Sequence, residues 1–407
     1  GLIYGLSVLD SWIYDLDPFG SLKYEQLLKD LREAVYSRYY ETLIETNLLD
    51  NTHRVILTLV PEEGKEEKEQ AELSARLAVV KESMSRKELE QYALECAELH
   101  RLQAAPDSEE ALASIPLLER GDIRRETEKL AVDKEEAHGA VLLYQSLPVN
   151  KITYLNWYFD MSGISPELLP YCNLLSDVLG KLNTEEYSYA ELAKYTDMYT
   201  GGFSFQMEAM NIEGKNDTYS IKYGVSAKCL TAKLPELFKI LKAMALHTQF
   251  GDKERLKELI DQIKTDWDNT FFAKGQSVAV ARLTSYFSPR DRVTEQDYYS
   301  YYRFIKQLAE NFESKADKTV AVLERLLPVF FNRTKYLLSY SCDEEDRNKV
   351  RGMALAFAEE LPESAFAGKE PIPLPVPEKN EAIITPGKVQ YVLAGGDYGE
   401  HGYAFNG

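Results

Sequence analysis

The sequence contains little of what disulfide scaffolds and membrane spans require. It has four cysteines in 407 residues, too few for a disulfide framework, which favours a reducing compartment. No apolar run approaches the roughly 20 residues that a membrane-spanning helix needs. No basic segment followed by an apolar one marks a secretory signal at the start. We therefore expect a cytoplasmic protein that does not bind membranes.

Basic residues are also scarce relative to acidic ones. Lys and Arg number 47 against 66 Asp and Glu, a formal charge of −19. A nucleic-acid partner requires a basic face, and anionic lipid would repel this chain. We therefore predict no nucleic-acid partner and no membrane partner. Hydrophobic residues at 44% and charged residues at 28% are typical of folded chains rather than disordered ones.

Catalytic and metal-binding motifs are missing as well. No His-x-x-Glu-His, His-Glu-x-x-His or Cys-x-x-Cys occurs, and neither does a glycine-rich phosphate loop. No two histidines stand at metal-ligand spacing; the five are His53, His100, His138, His247 and His401. Glu400 and His401 beside Asp397 could chelate a metal on paper, but we assign no site to them. The sequence predicts no catalytic, cofactor-binding or metal-binding residue in this chain.

The first third of the chain divides into two regions. Residues 1–61 have helical periodicity followed by an alternating stretch that predicts a strand at Val55–Val60; we interpret them as the end of an α+β domain. Residues 62–134 are rich in charge, and two helices over about 65–103, separated by a capping box from Ser85 to Glu88, predict a helical-hairpin linker. A coiled-coil partner site is the alternative, but each apolar stripe lasts only about three turns.

Residues 135–370 have the pattern of one complete α+β domain. Strands are predicted at Gly139–Ser146, Ile152–Phe159 and Tyr336–Ser341, and two alternating strands around 203–209 and 219–225 are joined by a loop at 213–217. Long amphipathic helices lie between the strands. Helices and antiparallel hairpins in blocks favour an antiparallel sheet with helices packed on one face.

Residues 371–407 are predicted to contain a proline-rich connector and the start of a further domain. Prolines alternate with apolar residues at 371–377, which favours an extended polyproline-II connector. Lys388–Ala394 predicts a strand that opens a further, truncated domain. Because residue 1 is Gly rather than Met, we expect the chain to be a piece of a longer protein. Val55–Val60 and Tyr336–Ser341 are each followed by an acidic turn, which predicts equivalent places in two related folds.

Several motifs resemble one family. Leu143–Tyr154, Thr200–Phe203 and Ser285–Ser288 resemble the third domain of presequence-protease-like zinc peptidases, which are inverzincins of the insulinase superfamily. Ser11–Phe19 resembles the end of that family's second domain, and Tyr391–Gly407 resembles the start of its fourth. The charged helical pair is similar to the interdomain linker. The resemblance covers essentially the whole chain, with its motifs in the family's order.

The resemblance implies four related α+β domains that close like a clamshell around a chamber for unfolded peptides. Zinc would sit in the first domain on His-x-x-Glu-His and a later glutamate, and an arginine and a tyrosine would come from the fourth domain. None of these residues can be placed on this sequence. The chain is therefore expected to be a non-catalytic hinge and chamber wall, with the N-terminal catalytic half of the same polypeptide as its partner and unfolded peptides as substrates.

Two other interpretations stay open. The chain could be a naturally separate, inactive partner subunit that binds peptides. It could also be an acidic scaffold protein if the resemblance is accidental. An upstream reading frame that encodes His-x-x-Glu-His would favour the first interpretation over both.

Overall fold

A computed structural model gives the fold of two compact units, Gly1–Ile123 and Arg124–Gly407. We call them the helical unit and the sheet unit, and each is described by itself. The described residues are 2–123, 126, 129–212, 218–363, 374–384, 389–397 and 402.

The helical unit contains helices and irregular segments, and none of its described residues form a strand. Its α-helices are α1 (Leu2–Trp12), α2 (Glu25–Ala34), α3 (Tyr39–Ile44), α4 (Lys65–Ser83), α5 (Arg86–Ala104) and α6 (Glu109–Ala113). The predicted break is confirmed, because Ser85 caps α5 and Glu88 closes the capping box. Neither α4 nor α5 has a buried residue, so their antiparallel packing stays a prediction.

Two predicted strands are wrong. Residues 55–60 have no regular structure, and Val55 is 90% exposed. A strand needs a neighbour for its backbone N–H and C=O groups, and no strand is described in that unit. The predicted equivalence of this segment with Tyr336–Ser341 is wrong for the same reason. Residues 389–394 form no strand either; their Tyr391 ring lies against Gly275 instead. Lys388 lies outside the described residues.

The sheet unit is built on one six-stranded mixed sheet in the order β1-β2-β6-β3-β5-β4. The strands are β1 (Asp133–Ala137), β2 (Ala140–Ser146), β3 (Ile152–Asp160), β4 (Phe203–Asn211), β5 (Tyr219–Leu230) and β6 (Tyr336–Cys342). The α+β class is confirmed, but β2 pairs with β6 in parallel. A parallel pair requires a long crossover, and here nearly two hundred residues of helices and strands supply it. The loop predicted at 213–217 lies outside the described residues.

Helices fill the sequence between and after these strands. They are α7 (Leu169–Val178), α8 (Tyr189–Tyr199), α9 (Leu234–His247), α10 (Lys253–Ala273), α11 (Gly275–Thr284), α12 (Pro289–Glu295), α13 (Tyr299–Glu310), α14 (Phe312–Phe330) and α15 (Arg347–Glu360). The predicted capping box at Ser188 and Glu191 starts α8. None of the described helices is long and apolar enough to cross a membrane.

One continuous core lies between the helices and one face of the sheet. Trp157 of β3 is fully buried, and its ring packs edge-on against Phe238 of α9 and Phe357 of α15. Its indole Nε1 donates a hydrogen bond to the Tyr336 hydroxyl at 2.8 Å. The one polar atom of this large side chain is thus satisfied, which its burial requires.

Candidate functional site

The sheet has a second face, which we call the open face. Along β6, Tyr336 and Leu338 are buried, while Leu337, Ser339 and Ser341 between them are only partly buried. The same alternation runs along β2 and β3. Because successive side chains of a strand point to opposite faces, the partly buried positions of all these strands share one surface.

Small polar side chains occupy the middle of the open face. The strand registers align Leu143, Ser339, Asn156, Ser226 and Ser204 in one row across five strands. The Ser226 hydroxyl donates to Asn156 Oδ1 at 2.8 Å. Because a hydroxyl and an amide hold each other here, this part of the surface is preorganised.

The neighbouring row adds an amide, a phenol and an ammonium group. Gln145, Ser341, Tyr154 and Lys228 are aligned on four strands. Gln145 Nε2 donates to Ser339 Oγ at 3.1 Å, and its Oε1 accepts from Ser341 Oγ at 3.3 Å. The Tyr154 side chain is 39% exposed. The row therefore offers hydrogen-bond donors and an aromatic surface.

A glycine shapes the end of the open face nearest the sheet edge. A Cβ on Gly224 would lie 2.8 Å from Glu208 Oε1, so only glycine lets this carboxylate lie across β5. Burial raises the pKa of Tyr158, and the nearby charge of Glu208 raises it further. Lys222, beside Glu208 in register, donates to Asp160 Oδ1 at 3.0 Å.

Three hydroxyls of the open face, those of Ser226, Ser339 and Ser341, donate hydrogen bonds to amide oxygens of the same surface. Within the described part of the chain, none of these three is paired with a histidine that could activate it, as nucleophilic catalysis requires. The sequence prediction assigned no site here. The alternating small polar residues of β3, β5 and β6 were the available signal, but their alignment depends on pairing between distant strands.

A second feature is the contact of α11 and the turn after it with residues 374–384, which continue the predicted proline-rich segment and which we call the connector from here on. The Arg282 guanidinium donates from Nε to Glu381 Oε2 at 2.7 Å and from Nη2 to Oε1 at 2.9 Å. The Tyr286 hydroxyl donates to Glu381 Oε2 at 2.9 Å. The hydrogen bond from Arg282 lowers the pKa of Glu381. The Lys379 ammonium lies 5.4 Å from the Phe287 ring centroid. The Ser285–Ser288 motif is therefore where the connector docks.

The described residues do not fit the zinc that the resemblance implies for the family. They contain no group of three His, Cys, Asp or Glu side chains that could hold a metal. His138 lies in the turn after β1 and pairs with Glu359 at 3.1 Å, and His247, the last residue of α9, pairs with Glu186. His53 and His100 are exposed in the helical unit. Glu400 and His401 lie outside the described residues.

A family model and several presequence proteases match this chain. The family model for the segment associated with peptidases of family M16, subfamily C, matches residues 59–308. The chain is 33% identical to "Protein HypA" of Clostridium perfringens, over all of this chain and 42% of that protein. It is 28% identical to "Presequence protease 1, chloroplastic/mitochondrial" of Arabidopsis thaliana, over all of this chain and 38% of that protein.

Other matches are more partial. "Presequence protease, mitochondrial" of Drosophila melanogaster is 27% identical over 61% of this chain and 24% of that protein. Among solved structures, a peptidase M16 inactive domain from Pseudomonas fluorescens is 14% identical with a TM-score of 0.39, covering 60% of this chain and 54% of that one. The chain spans less than half the length of these curated relatives.

Proposed function

Because the chain belongs to the family associated with subfamily C of the M16 peptidases, we propose that it is a non-catalytic part of a zinc-dependent endopeptidase that degrades unfolded peptides. Its open face would be a wall of the chamber that holds the substrate. The observation that carries this proposal is the open face itself, with its aligned row of Ser339, Asn156 and Ser226. A surface of preorganised polar groups could bind the extended backbone of peptides with many different sequences.

The connector supports a hinge role. Glu381 is fixed by a bidentate guanidinium and a phenol, and bidentate Arg–carboxylate pairs impose direction as well as energy. We propose that this contact fixes the direction in which the chain continues beyond Glu381. When the chamber closes, its parts would then move about this contact as a fixed pivot.

The remaining parts of the reaction would come from outside this chain. The N-terminal catalytic half of the same polypeptide is the proposed partner, and it would supply the zinc and the water-activating glutamate. We expect dialysed chain to hold no stoichiometric zinc and to leave a quenched fluorescent peptide uncleaved. One zinc per chain with chelator-sensitive cleavage would refute the non-catalytic assignment. A cytoplasmic location is proposed from the four unpaired cysteines.

The wall proposal can be tested by filling the open face. Ser226→Trp places a large ring in the middle row, and Asp197→Trp places the same ring on the exposed surface of α8 as the matched control. We expect Ser226→Trp to weaken binding of a labelled, unstructured peptide about tenfold, roughly the loss of one good contact, and Asp197→Trp to leave it unchanged. Equal binding by both variants would contradict the proposal.

A further inference from the structure

A cavity of about 240 Å³ lies beside edge strand β4, between α7, α10 and α13. Two carboxylates, Asp177 and Asp297, contribute to its lining together with the rings of Trp267 and Tyr301. We call it the carboxylate cavity. It is smaller than the cavities of roughly 300–1,000 Å³ that hold drug-sized ligands, so it has room for a single side chain.

Asp297 is the unusual group in this cavity. Its Oδ1 atom is buried and accepts no hydrogen bond within the described part of the chain. Burial, with the nearby charges of Asp177 and Glu295, raises the pKa of Asp297 to about 7, although the Asn173 amide offsets part of that rise. A buried charge normally has a partner. Asp297 lines the cavity, and its Oδ1 atom has no hydrogen-bond donor among the described residues.

The other carboxylates do not compensate this charge. Asp177 accepts the Tyr301 hydroxyl at 2.5 Å, and burial raises the pKa of Asp177 as well. The Arg282 guanidinium lies 3.4 Å from Glu295 and is also committed to Glu381. Within the described residues, neither carboxyl group of the carboxylate cavity forms an ion pair.

The aromatic walls favour a particular kind of cation. Trp267 and Tyr301 meet edge to face with centroids 6.1 Å apart. Aromatic faces attract alkylammonium and guanidinium groups, Trp most strongly, and bury the apolar stems of Lys and Arg. A metal ion fits less well, since the described residues contain no set of three metal ligands.

We propose that the carboxylate cavity binds the positively charged side chain of an arginine or lysine in an unfolded peptide. This extends the proposed function, on which it rests for the peptide, and gives it a sequence preference. The charge of the bound side chain supplies the partner that Asp297 lacks. The neighbouring Gln206 and Phe205 of β4 place that side chain at the edge of the sheet.

The test compares two peptides by calorimetric titration of the whole chain. One is acetyl-Gly-Ser-Arg-Ser-Gly-amide, and the other carries citrulline, which is nearly isosteric with arginine but neutral. We expect the arginine peptide to bind about tenfold more tightly, the value of one hydrogen bond between charged groups. Equal affinities for the two peptides would overturn the proposal. Calcium chloride is titrated as a second probe. If calcium binds in a way that Asp297→Asn abolishes while the arginine peptide does not bind, the cavity is a metal site and the proposal is also overturned.

Variants locate the preference. Asp297→Asn should abolish it, while Asp197→Asn, an equal charge change on an exposed helix, should preserve it. Asp177→Asn is a second variant should Asp297→Asn not fold, and it should reduce the preference. A preference that survives in Asp297→Asn places the cation elsewhere and overturns the proposal.

The results of these experiments distinguish failure of the cavity proposal from failure of the wall proposal. If the peptides bind equally but Ser226→Trp still weakens binding, the wall stands and the cavity proposal fails. If the arginine preference depends on Asp297 but Ser226→Trp has no effect, the cavity binds cations and the wall proposal fails.

Discussion

The helical unit and the sheet unit use similar apolar periodicity with opposite results. In the described part of the helical unit no side chain is fully buried, and Leu77 of α4 stays 56% exposed. In the sheet unit the same kind of helical stripe, such as Leu256 and Ile260 of α10, is fully buried in the core, where α10 packs against other helices. An apolar stripe thus predicts a helix, but its burial depends on a second surface that the stripe does not specify.

The largest difference between the units should appear in their response to core truncation. Trp157→Ala removes the centre of the aromatic core and should lower the free energy of unfolding of the sheet unit by about 3–5 kcal/mol. Leu77→Ala, on an exposed stripe, should change the free energy of unfolding of the helical unit by less than about 0.5 kcal/mol. Urea titration followed by near-ultraviolet circular dichroism measures both. Similar losses would mean that Leu77 is buried in solution.

The contact between Arg282 and two carboxylates should be the next most sensitive. Arg282→Ala leaves Glu295, whose side chain is 2% exposed, without its cation, and should cost about 3 kcal/mol. Glu381→Gln keeps the pair of Arg282 with Glu295 and weakens only the hydrogen bonds that Arg282 and Tyr286 donate to position 381. We expect Glu381→Gln to speed limited proteolysis within residues 374–384 without lowering the unfolding midpoint. An unchanged cleavage rate would argue against docking of the connector.

Asp297 of the sheet unit and Glu88 of the helical unit should make contributions to stability that depend on pH with opposite signs. The pKa of Asp297 is raised to about 7, so its proton stabilises the folded sheet unit at low pH, and that contribution is lost as the pH rises through about 7. Hydrogen bonds from Ser85 lower the pKa of Glu88. Its contribution to α5 is present above the usual carboxyl range and is lost as the pH falls.

Thermal unfolding at a series of pH values measures the first effect. Asp297→Asn should flatten the dependence between about pH 4 and pH 7, because the titrating group is gone. Asp177 and Glu295, whose pKa values burial also raises, should leave a smaller slope of the same sign. A slope unchanged by Asp297→Asn would assign it to these two groups.

The smallest effect should come from the cap of α5. Ser85→Ala removes the hydroxyl that accepts the Glu88 N–H and should destabilise the helix by about 1 kcal/mol. Amide hydrogen exchange should speed up in the first turn of α5 and stay the same in β3. Faster exchange in both places would show that the two units unfold together.

Local rules account for what the sequence predicted correctly. Capping boxes at Ser85 and Ser188 act within four residues, and the alternation of β5 needs only its own side chains. The failures needed distant partners. Val55–Val60 has strand-like alternation but no neighbouring strand, while the charged β1 was missed and is a strand because Leu143 and Val141 of β2 pair with it. The sequence analysis missed the open face because its rows depend on the pairing of β2 with β6, which lie nearly two hundred residues apart in the sequence.

The most direct test of the wall proposal is photocrosslinking from the open face. A benzophenone side chain at position 226, with position 197 as the control, reports whether an unfolded peptide lies on the row between Asn156 and Ser204. Irradiation with a labelled, unstructured peptide and mass spectrometry of the adducts should show crosslinks from position 226 that an unlabelled peptide competes away. Crosslinks that form equally from position 197, or none from position 226, would contradict the account.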